Sequence, residues 1–297
     1  MHPAPGWRLR ELLAQPGLRV VPGVYDCLSA LLAERAGFEL LFTSGFGLSA
    51  SLLGKPDFGF LTATETVEAV GRLAAAVRIP VVADLDTGYG NALNVHRTVS
   101  EVVRLGAAGV ILEDQEWPKK CGHFEGKRVI SAGRHVEKIR AAVDARGDSG
   151  LVIIGRTDAR ATHGLDEAIA RGRAYVEAGA DVIFVEAPES IAELETIAES
   201  FPDIPTFANM IEGGRTPLLS AGELERLGFK IVVFPLTGLF AAAAALEEAF
   251  RFLRSHGTTE GLASRSPFKE FEGMIDVSRY RRLERKFTES GSPERER

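Results

Sequence analysis

The stretch Ala178-Gly-Ala-Asp-Val-Ile-Phe-Val-Glu186 contains the unit from which the fold is read. A helical segment runs into a small residue and a glycine, and an apolar, β-rich run follows that ends on a polar or acidic residue. The same unit occurs at Leu105-Gly106 before Gly109-Val-Ile-Leu-Glu113, at Ala36-Gly37 before Glu39-Leu-Leu-Phe-Thr43, and at Leu227-Gly228 before Lys230-Ile-Val-Val-Phe234. Glycine suits a left-handed helix C-terminus, and a continuous apolar run suits a strand buried on both faces. Runs at 19–24, 80–83, 151–155 and 205–208 complete the rhythm and predict eight strands. The stretches between them, such as 64–77, 94–105, 131–146 and 165–178, are long enough for crossover helices. Their apolar residues recur at intervals of three and four, as at Val95, Val99, Val102 and Val103. The pattern predicts a (β/α)8 TIM-type barrel.

Composition agrees with this class and excludes others. The chain has 297 residues, 45% hydrophobic and 26% charged, enough to bury a sizeable core without a partner. A net charge of −6 supplies no basic field for a phosphate backbone, so nucleic-acid binding is not expected. The opening Met1-His-Pro-Ala-Pro-Gly-Trp7 has no apolar signal-like run, and the apolar segment 241–246 is too short to span a bilayer. A cytoplasmic location without membrane contact is therefore expected. The whole chain, 1–297, is read as one barrel domain, with a core at about 19–256 and a helical extension at about 262–288. In that extension Phe268, Phe271, Met274, Ile275 and Val277 are available for burial, either over the lower mouth of the barrel or against a neighbouring subunit. The polar stretch 289–297 is expected to fray.

In such a barrel the active site lies at the C-terminal ends of the strands, so the polar residues that end each apolar run are the candidates. They are Tyr25-Asp26, Thr43-Ser44-Gly45, Asp84-Leu85-Asp86, Glu113-Asp114, Arg156-Thr157-Asp158, Glu186 and Asn209. Several carboxylates in one cavity repel unless a cation neutralises them, and oxygen ligands favour Mg²⁺ or Mn²⁺. Asp84 and Asp86 share a strand face and can reach one ion. The competing role for any single acid is a helix cap or a salt bridge at the rim.

The segment Asp114-Gln-Glu-Trp-Pro-Lys-Lys-Cys-Gly-His123 lacks apolar periodicity and reads as a loop over the mouth. It brings Lys119, Lys120, Cys121 and His123 together. Neighbouring ammonium groups favour a thiolate, and a titratable thiol can transfer a proton or attack a carbonyl; an incidental thiol is the alternative. Gly122 leaves room for the loop to close. The only other cysteine, Cys27, stands among Leu28, Ala30 and Leu31 and reads as a small buried hydrophobe. His2, His96, His135, His163 and His256 read as surface residues. Gly88-Tyr-Gly-Asn91 has neither the spacing nor the lysine of a phosphate loop and reads as a tight strand-to-helix turn.

These residues resemble the isocitrate lyase/phosphoenolpyruvate mutase superfamily, in the branch of methylisocitrate lyase, 2,3-dimethylmalate lyase, petal death protein and carboxyphosphonoenolpyruvate mutase. The resemblance covers about 19–287 and rests on Lys119-Lys-Cys-Gly-His123, Asp84-Leu-Asp-Thr-Gly-Tyr-Gly90, Leu53-Gly-Lys-Pro-Asp57 and Asn209-Met-Ile-Glu-Gly-Gly214. Leu85 departs from the alanine expected between the acidic pair. The resemblance implies a homotetramer, a dimer of dimers whose last helices swap between neighbours. It implies Mg²⁺ bound directly by Asp86 and through waters by Asp57, Asp84 and Glu113, with Tyr25, Ser44, Gly45, Arg156, Glu186 and Asn209 holding a small carboxylate substrate. Cys121 is implied as the acid/base on the departing enolate, within a catalytic group that takes in Lys119, His123, Glu113 and Arg156. The implied reaction is Mg²⁺-dependent retro-aldol cleavage of a 2-alkylmalate or methylisocitrate-like 2-hydroxy acid to a 2-oxo acid and a carboxylate. Oxaloacetate hydrolysis to oxalate and acetate and carboxyphosphonoenolpyruvate-type mutase chemistry are the alternatives. A barrel repurposed for binding would have lost some acids or the thiol, and all are present here.

Overall fold

The computed structural model describes residues 4–263 and 265–288. His2 and the stretch 289–297 lie outside the described residues. The chain divides into two compact units after Phe240. In the first, β1 (Arg19–Val24), β2 (Leu41–Thr43), β3 (Val81–Asp84), β4 (Gly109–Glu113), β5 (Val152–Thr157), β6 (Val182–Val185), β7 (Thr206–Asn209) and β8 (Ile231–Phe234) pair in sequence order. Parallel pairing of β1 with β8, with Arg19 opposite Ile231, closes the eight-stranded barrel.

The helices of this unit are α1 (Pro5–Ala14), α2 (Cys27–Arg35), α3 (Gly45–Leu48), α4 (Ala63–Ala76), α5 (Ala92–Arg104), α6 (Ala132–Arg146), α7 (Arg160–His163), α8 (Leu165–Glu177), α9 (Ile191–Ser200) and α10 (Ala221–Leu227). Their starts follow from local chemistry. Asp26, Thr62, Asn91 and Ser220 each accept a hydrogen bond from the third helical N–H of the helix they precede, and the side chain of that third residue bonds back to the cap.

Alternation along each strand splits the core in two. Val152 and Ile154 point into the barrel with Val82, Ile111, Val182, Phe184, Phe207 and Val233, while Ile153 points outward to the helices with Leu85, Val110, Leu112 and Ile183. The N-terminal end of the barrel is filled by α1, whose fully buried Leu9 joins the inner cluster. Arg10 fixes that helix by donating to the carbonyls of Gly150 and Leu151 and pairing with Asp181 at 2.8 Å. No pattern noted in the sequence marks α1, because its contacts are with loops far along the chain.

The second unit carries most of α11 (Thr237–His256), then α12 (Phe268–Met274) and α13 (Val277–Thr288). Arg281 pairs with Glu272 at 2.9 Å. None of the residues in these three helices is buried, and Phe268 is 82% exposed, so the apolar side chains of the extension find no cover here. Among the described residues no helix is long and apolar enough to cross a membrane.

Candidate active site

The alternation that fills the barrel also builds its mouth. Continuing each inward row beyond its last apolar residue leads from Phe42 to Ser44, from Val82 to Asp84 and Asp86, from Ile111 to Glu113, from Ile154 to Arg156, from Phe184 to Glu186, and from Phe207 to Asn209. Six strands thus deliver polar side chains to one end of an apolar lumen. Left-handed backbone occurs at the ends of two of these rows: Asp86 has φ 50°, and Ala187, next to Glu186, has φ 54°. Such conformations cost a non-glycine residue on the order of 1–3 kcal/mol and are held only where the surroundings dictate them.

The floor is a cluster of buried charge. Lys119 Nζ lies 2.7 Å from each of Asp57 Oδ1 and Asp86 Oδ1. Arg156 grips Asp158 through Nε at 2.9 Å and Nη2 at 3.2 Å, and Nη2 also lies 3.2 Å from Glu113 and 3.7 Å from Glu186. Burial, with repulsion from Asp84 and Asp57, lifts Asp86 to about 6 despite Lys119. Burial also pushes Glu113 well above the usual carboxylate range, against the pull of Arg156. Glu186 goes the other way, because Arg156 and His123 outweigh its burial. Burial works against the Lys119 ammonium too, yet Asp86, Asp57 and Glu113 together hold it charged. Asp86 Oδ1 and Glu113 Oε1 are buried without a well-formed hydrogen bond.

The loop after β4 closes over this floor. The Gln115 side chain pairs with both backbone groups of Lys120, and Cys121 N–H donates to the Asp57 carbonyl at 3.1 Å. Lys127 anchors the far side through Asp158 at 2.8 Å and the Gly122 carbonyl. Gly122 packs so tightly that a Cβ would stand 2.5 Å from the Glu186 side chain. His123 Nε2 lies 3.0 Å from Glu186, and its Nδ1 accepts the Arg215 backbone N–H at 3.0 Å, which assigns the ring proton to Nε2. Cys121 faces the pocket beside Phe46, Arg156, Glu186, Asn209 and Leu236. Burial pushes its thiol up to about 11.

Comparison with known proteins agrees with this arrangement. Residues 9–254 match the family described as phosphoenolpyruvate phosphomutase. The chain belongs to that family. It is 46% identical over 286 residues to the chloroplastic carboxyvinyl-carboxyphosphonate phosphorylmutase of Arabidopsis thaliana, covering 95% of this chain and 84% of the relative. It is 44% identical over 281 residues to the 2,3-dimethylmalate lyase of Eubacterium barkeri, covering 94% and 97%. The structure of oxaloacetate acetylhydrolase in complex with 3,3-difluorooxalacetate superposes with a TM-score of 0.91 at 35% identity, covering 98% of this chain and 99% of that one. The protein is therefore an enzyme of the isocitrate lyase/phosphoenolpyruvate mutase superfamily.

Within this phosphomutase-family site, the candidates read from the sequence gather in one place, except Tyr25, Asp26, which caps α2, and Asp114 and Thr157, which turn outward and bond each other. Ser44, Gly45, Asp57, Asp84, Lys119, Cys121, His123, Arg156, Glu186 and Asn209 line the pocket, with Asp86 and Glu113 directly beneath through Lys119 and Arg156. The inward row of β1 ends early, because Pro235 occupies the space beside Gly23, and Tyr25 packs instead against Leu48, Leu61 and Ala69. Burial works against the expected thiolate and outweighs the nearby ammonium. The Nε–Nη2 edge of Arg156 is occupied by Asp158, which leaves the Nη1 side of the guanidinium open. Cys27 is half-buried, its thiol 3.6 Å from the Arg72 carbonyl. Sequence reading did not single out Lys127 or Arg215, which lie in loops and meet the site only through tertiary contacts.

The carboxylate set fits a hard divalent cation in its chemistry. Its donors are oxygens; Glu113 Oε1 is buried without a hydrogen bond, and Asp86 Oδ1 is met by the Lys119 ammonium at 2.7 Å. No three histidine, cysteine or acidic side chains among the described residues close around one point, and the Lys119 ammonium sits between Asp57 and Asp86.

Proposed function

We propose that this enzyme is a Mg²⁺-dependent carbon–carbon lyase that splits a 2-hydroxy dicarboxylate of the 2-alkylmalate or methylisocitrate-like class into a 2-oxo acid and a carboxylate. The observation that carries the reading is the position of the Cys121 thiol, held by the loop after β4 over a floor of carboxylates in a pocket shared with Arg156. Retro-aldol cleavage needs one proton removed from the 2-hydroxyl and one delivered to the departing carbon. A half-buried thiol whose pKa burial pushes up to about 11 is suited to the delivery. The hydroxyl proton would go to an ionised carboxylate of the floor, and Glu113 Oε1, buried without a hydrogen bond, is an oxygen open to receive it.

When bound to Asp86, Mg²⁺ would supply positive charge to the hydroxyl and carboxylate oxygens of the substrate. The Nη1 side of Arg156 would hold a substrate carboxylate, and Asn209 and Ser44 would orient its oxygens. Phe46, Phe184, Phe207, Ile211, Pro235 and Leu236 give the rest of the wall an apolar character that suits an alkyl branch. The closed pocket leaves only about 40 Å³, so the loop that carries Cys121 would open to admit substrate and shut to exclude water. Location in the cytoplasm and a tetramer with swapped C-terminal helices remain part of the same proposal.

The test is a product assay with Mg²⁺ over a panel of alkylmalates, methylisocitrate, oxaloacetate and phosphonopyruvate-type substrates. Release of a 2-oxo acid from a 2-hydroxy acid, abolished by a chelator, is the expected outcome. Oxalate and acetate from oxaloacetate as the main products, or a phosphorus NMR signature of phosphonate rearrangement, would replace this reading with the corresponding family chemistry.

A further inference from the structure

A second cavity, of about 500 Å³, lies outside the barrel between the β3–α5 turn, the start of the loop after β4, and α6. It shares no lining residue with the catalytic pocket. Its inner wall holds Lys138, which is buried and has a single hydrogen bond, donated to the Thr87 carbonyl at 2.8 Å. Among the described residues no carboxylate pairs directly with that ammonium; burial lowers its pKa, against the more distant pull of Glu113 and Asp114. Thr87 lines the same wall; it is 1% exposed and its hydroxyl has no hydrogen-bond partner. Arg134 stands at the rim with no ion pair for its guanidinium, and Glu137 is the one acid on the lining. The first turn of α5 opens on the cavity at Asn91 and Ala92, and Trp117 and Ile130 give it an apolar side.

We infer that this cavity binds a small organic carboxylate, with its head on Lys138 and Thr87 and its carbon body against Trp117 and Ile130. The buried polar groups demand an acceptor. Lys138 has N–H groups left to donate, the Thr87 hydroxyl has an O–H, and a carboxylate can take both while giving the ammonium the direct ion-pair partner it lacks. A neutral guest would leave the buried cation with only the distant charges of Glu113 and Asp114. With two cations and one acid on the lining, a singly charged anion balances the cavity. The positive end of α5 adds to the same preference. The aromatic flank separates this guest from inorganic phosphate, which has no apolar body to place there.

The two tryptophans of the chain allow a direct measurement. Trp117 lines the cavity, and Trp7 lies in α1, bonded to the Asp148 carbonyl near the other end of the barrel. The full-length Trp7→Phe variant is titrated with benzoate and with isobutyrate, neither of which has the 2-oxygen needed to chelate a metal, and Trp117 fluorescence is read with and without a chelator. A saturable change that is indifferent to the chelator is expected. Lys138→Met should weaken it by about tenfold or more, and Arg134→Ala, at an exposed rim position, by a smaller factor. The Arg134 variant keeps the test decisive if loss of the Thr87 contact unfolds the Lys138 variant. No saturable change, a change that survives both substitutions, or tighter binding of inorganic phosphate than of either carboxylate would overturn the assignment.

Discussion

Glu113 and Asp114 are neighbours in the chain, both acidic and both buried, yet they have opposite surroundings. Glu113 ends the inward row of β4 and meets Arg156 at 3.2 Å, with Oε1 left unmet. Asp114 points outward and is fully provided for. It accepts from the Thr157 hydroxyl at 2.7 Å, the Asp158 N–H at 2.8 Å, Arg171 at 3.0 Å and the Tyr175 hydroxyl at 2.7 Å. One step along a strand moves a carboxyl from a site where an oxygen is left open to one where its oxygens are consumed in holding helix α8 to the barrel. Buried polar groups left open mark chemistry, and satisfied ones mark architecture.

The largest effect should come on the unmet side. Cys121→Ala should lower kcat by roughly 100- to 10,000-fold, the usual weight of a general acid. The midpoint of urea unfolding should hardly move, because the loop is anchored by its backbone, Gln115 and Lys127 and not by the thiol. Full activity in this variant would end the case for Cys121. The protonation state can be checked separately. A thiol raised to about 11 should react slowly with iodoacetamide at pH 8 and faster as the pH approaches 11, whereas rapid alkylation at pH 7 would mean that a thiolate is present after all.

On the satisfied side the expected loss is in stability. Asp114→Ala leaves the Arg171 guanidinium and the Tyr175 hydroxyl buried without their acceptor, which should cost about 3–5 kcal/mol. Urea denaturation with an unchanged m-value measures it. A loss below about 1 kcal/mol, the scale of an exposed ion pair, would mean that water or a rearranged neighbour replaces the carboxylate and that the contrast with Glu113 is overstated.

The contrast also explains what could be read from the sequence. The alternation of the strands was legible, and it carried Ser44, Asp84, Asp86, Glu113, Arg156, Glu186 and Asn209 to one mouth without knowledge of any contact. Two kinds of information were not legible. Position after a strand end is one: Tyr25 has the right parity but turns aside, because Pro235 already fills the space next to Gly23. The occupancy of a group by its neighbours is the other. Nothing in the order of residues says that Asp158 has taken one edge of Arg156, that α1 plugs the lower end of the barrel, or that His135 lies inside.

His135 provides the subtlest test of the comparison. A lone histidine on a helix reads as a surface residue, but this one faces inward from α6, fully buried, with its ring 4.6 Å from that of Tyr175 and neither nitrogen in a well-formed hydrogen bond. Asp114 and the Leu112 carbonyl favour its charged form, Lys138 and Arg171 oppose it, and burial, the largest influence, lowers its pKa to about 4. The unfolded chain has the ordinary value of about 6.5, so between these limits the unfolded state binds more protons and stability rises with pH. The contribution is complete above about pH 6.5 and is lost as pH falls toward about 4, a swing of roughly 3 kcal/mol. Other buried groups titrate in the same range, so the quantity to measure is the difference between wild type and His135→Leu in unfolding free energy at pH 7 and at pH 4.5. The wild type should lose more on acidification than the variant does. Equal losses would mean that the imidazole is protonated in place against Asp114, and the satisfied side of the barrel would then hold a charge that it lacks in this structure.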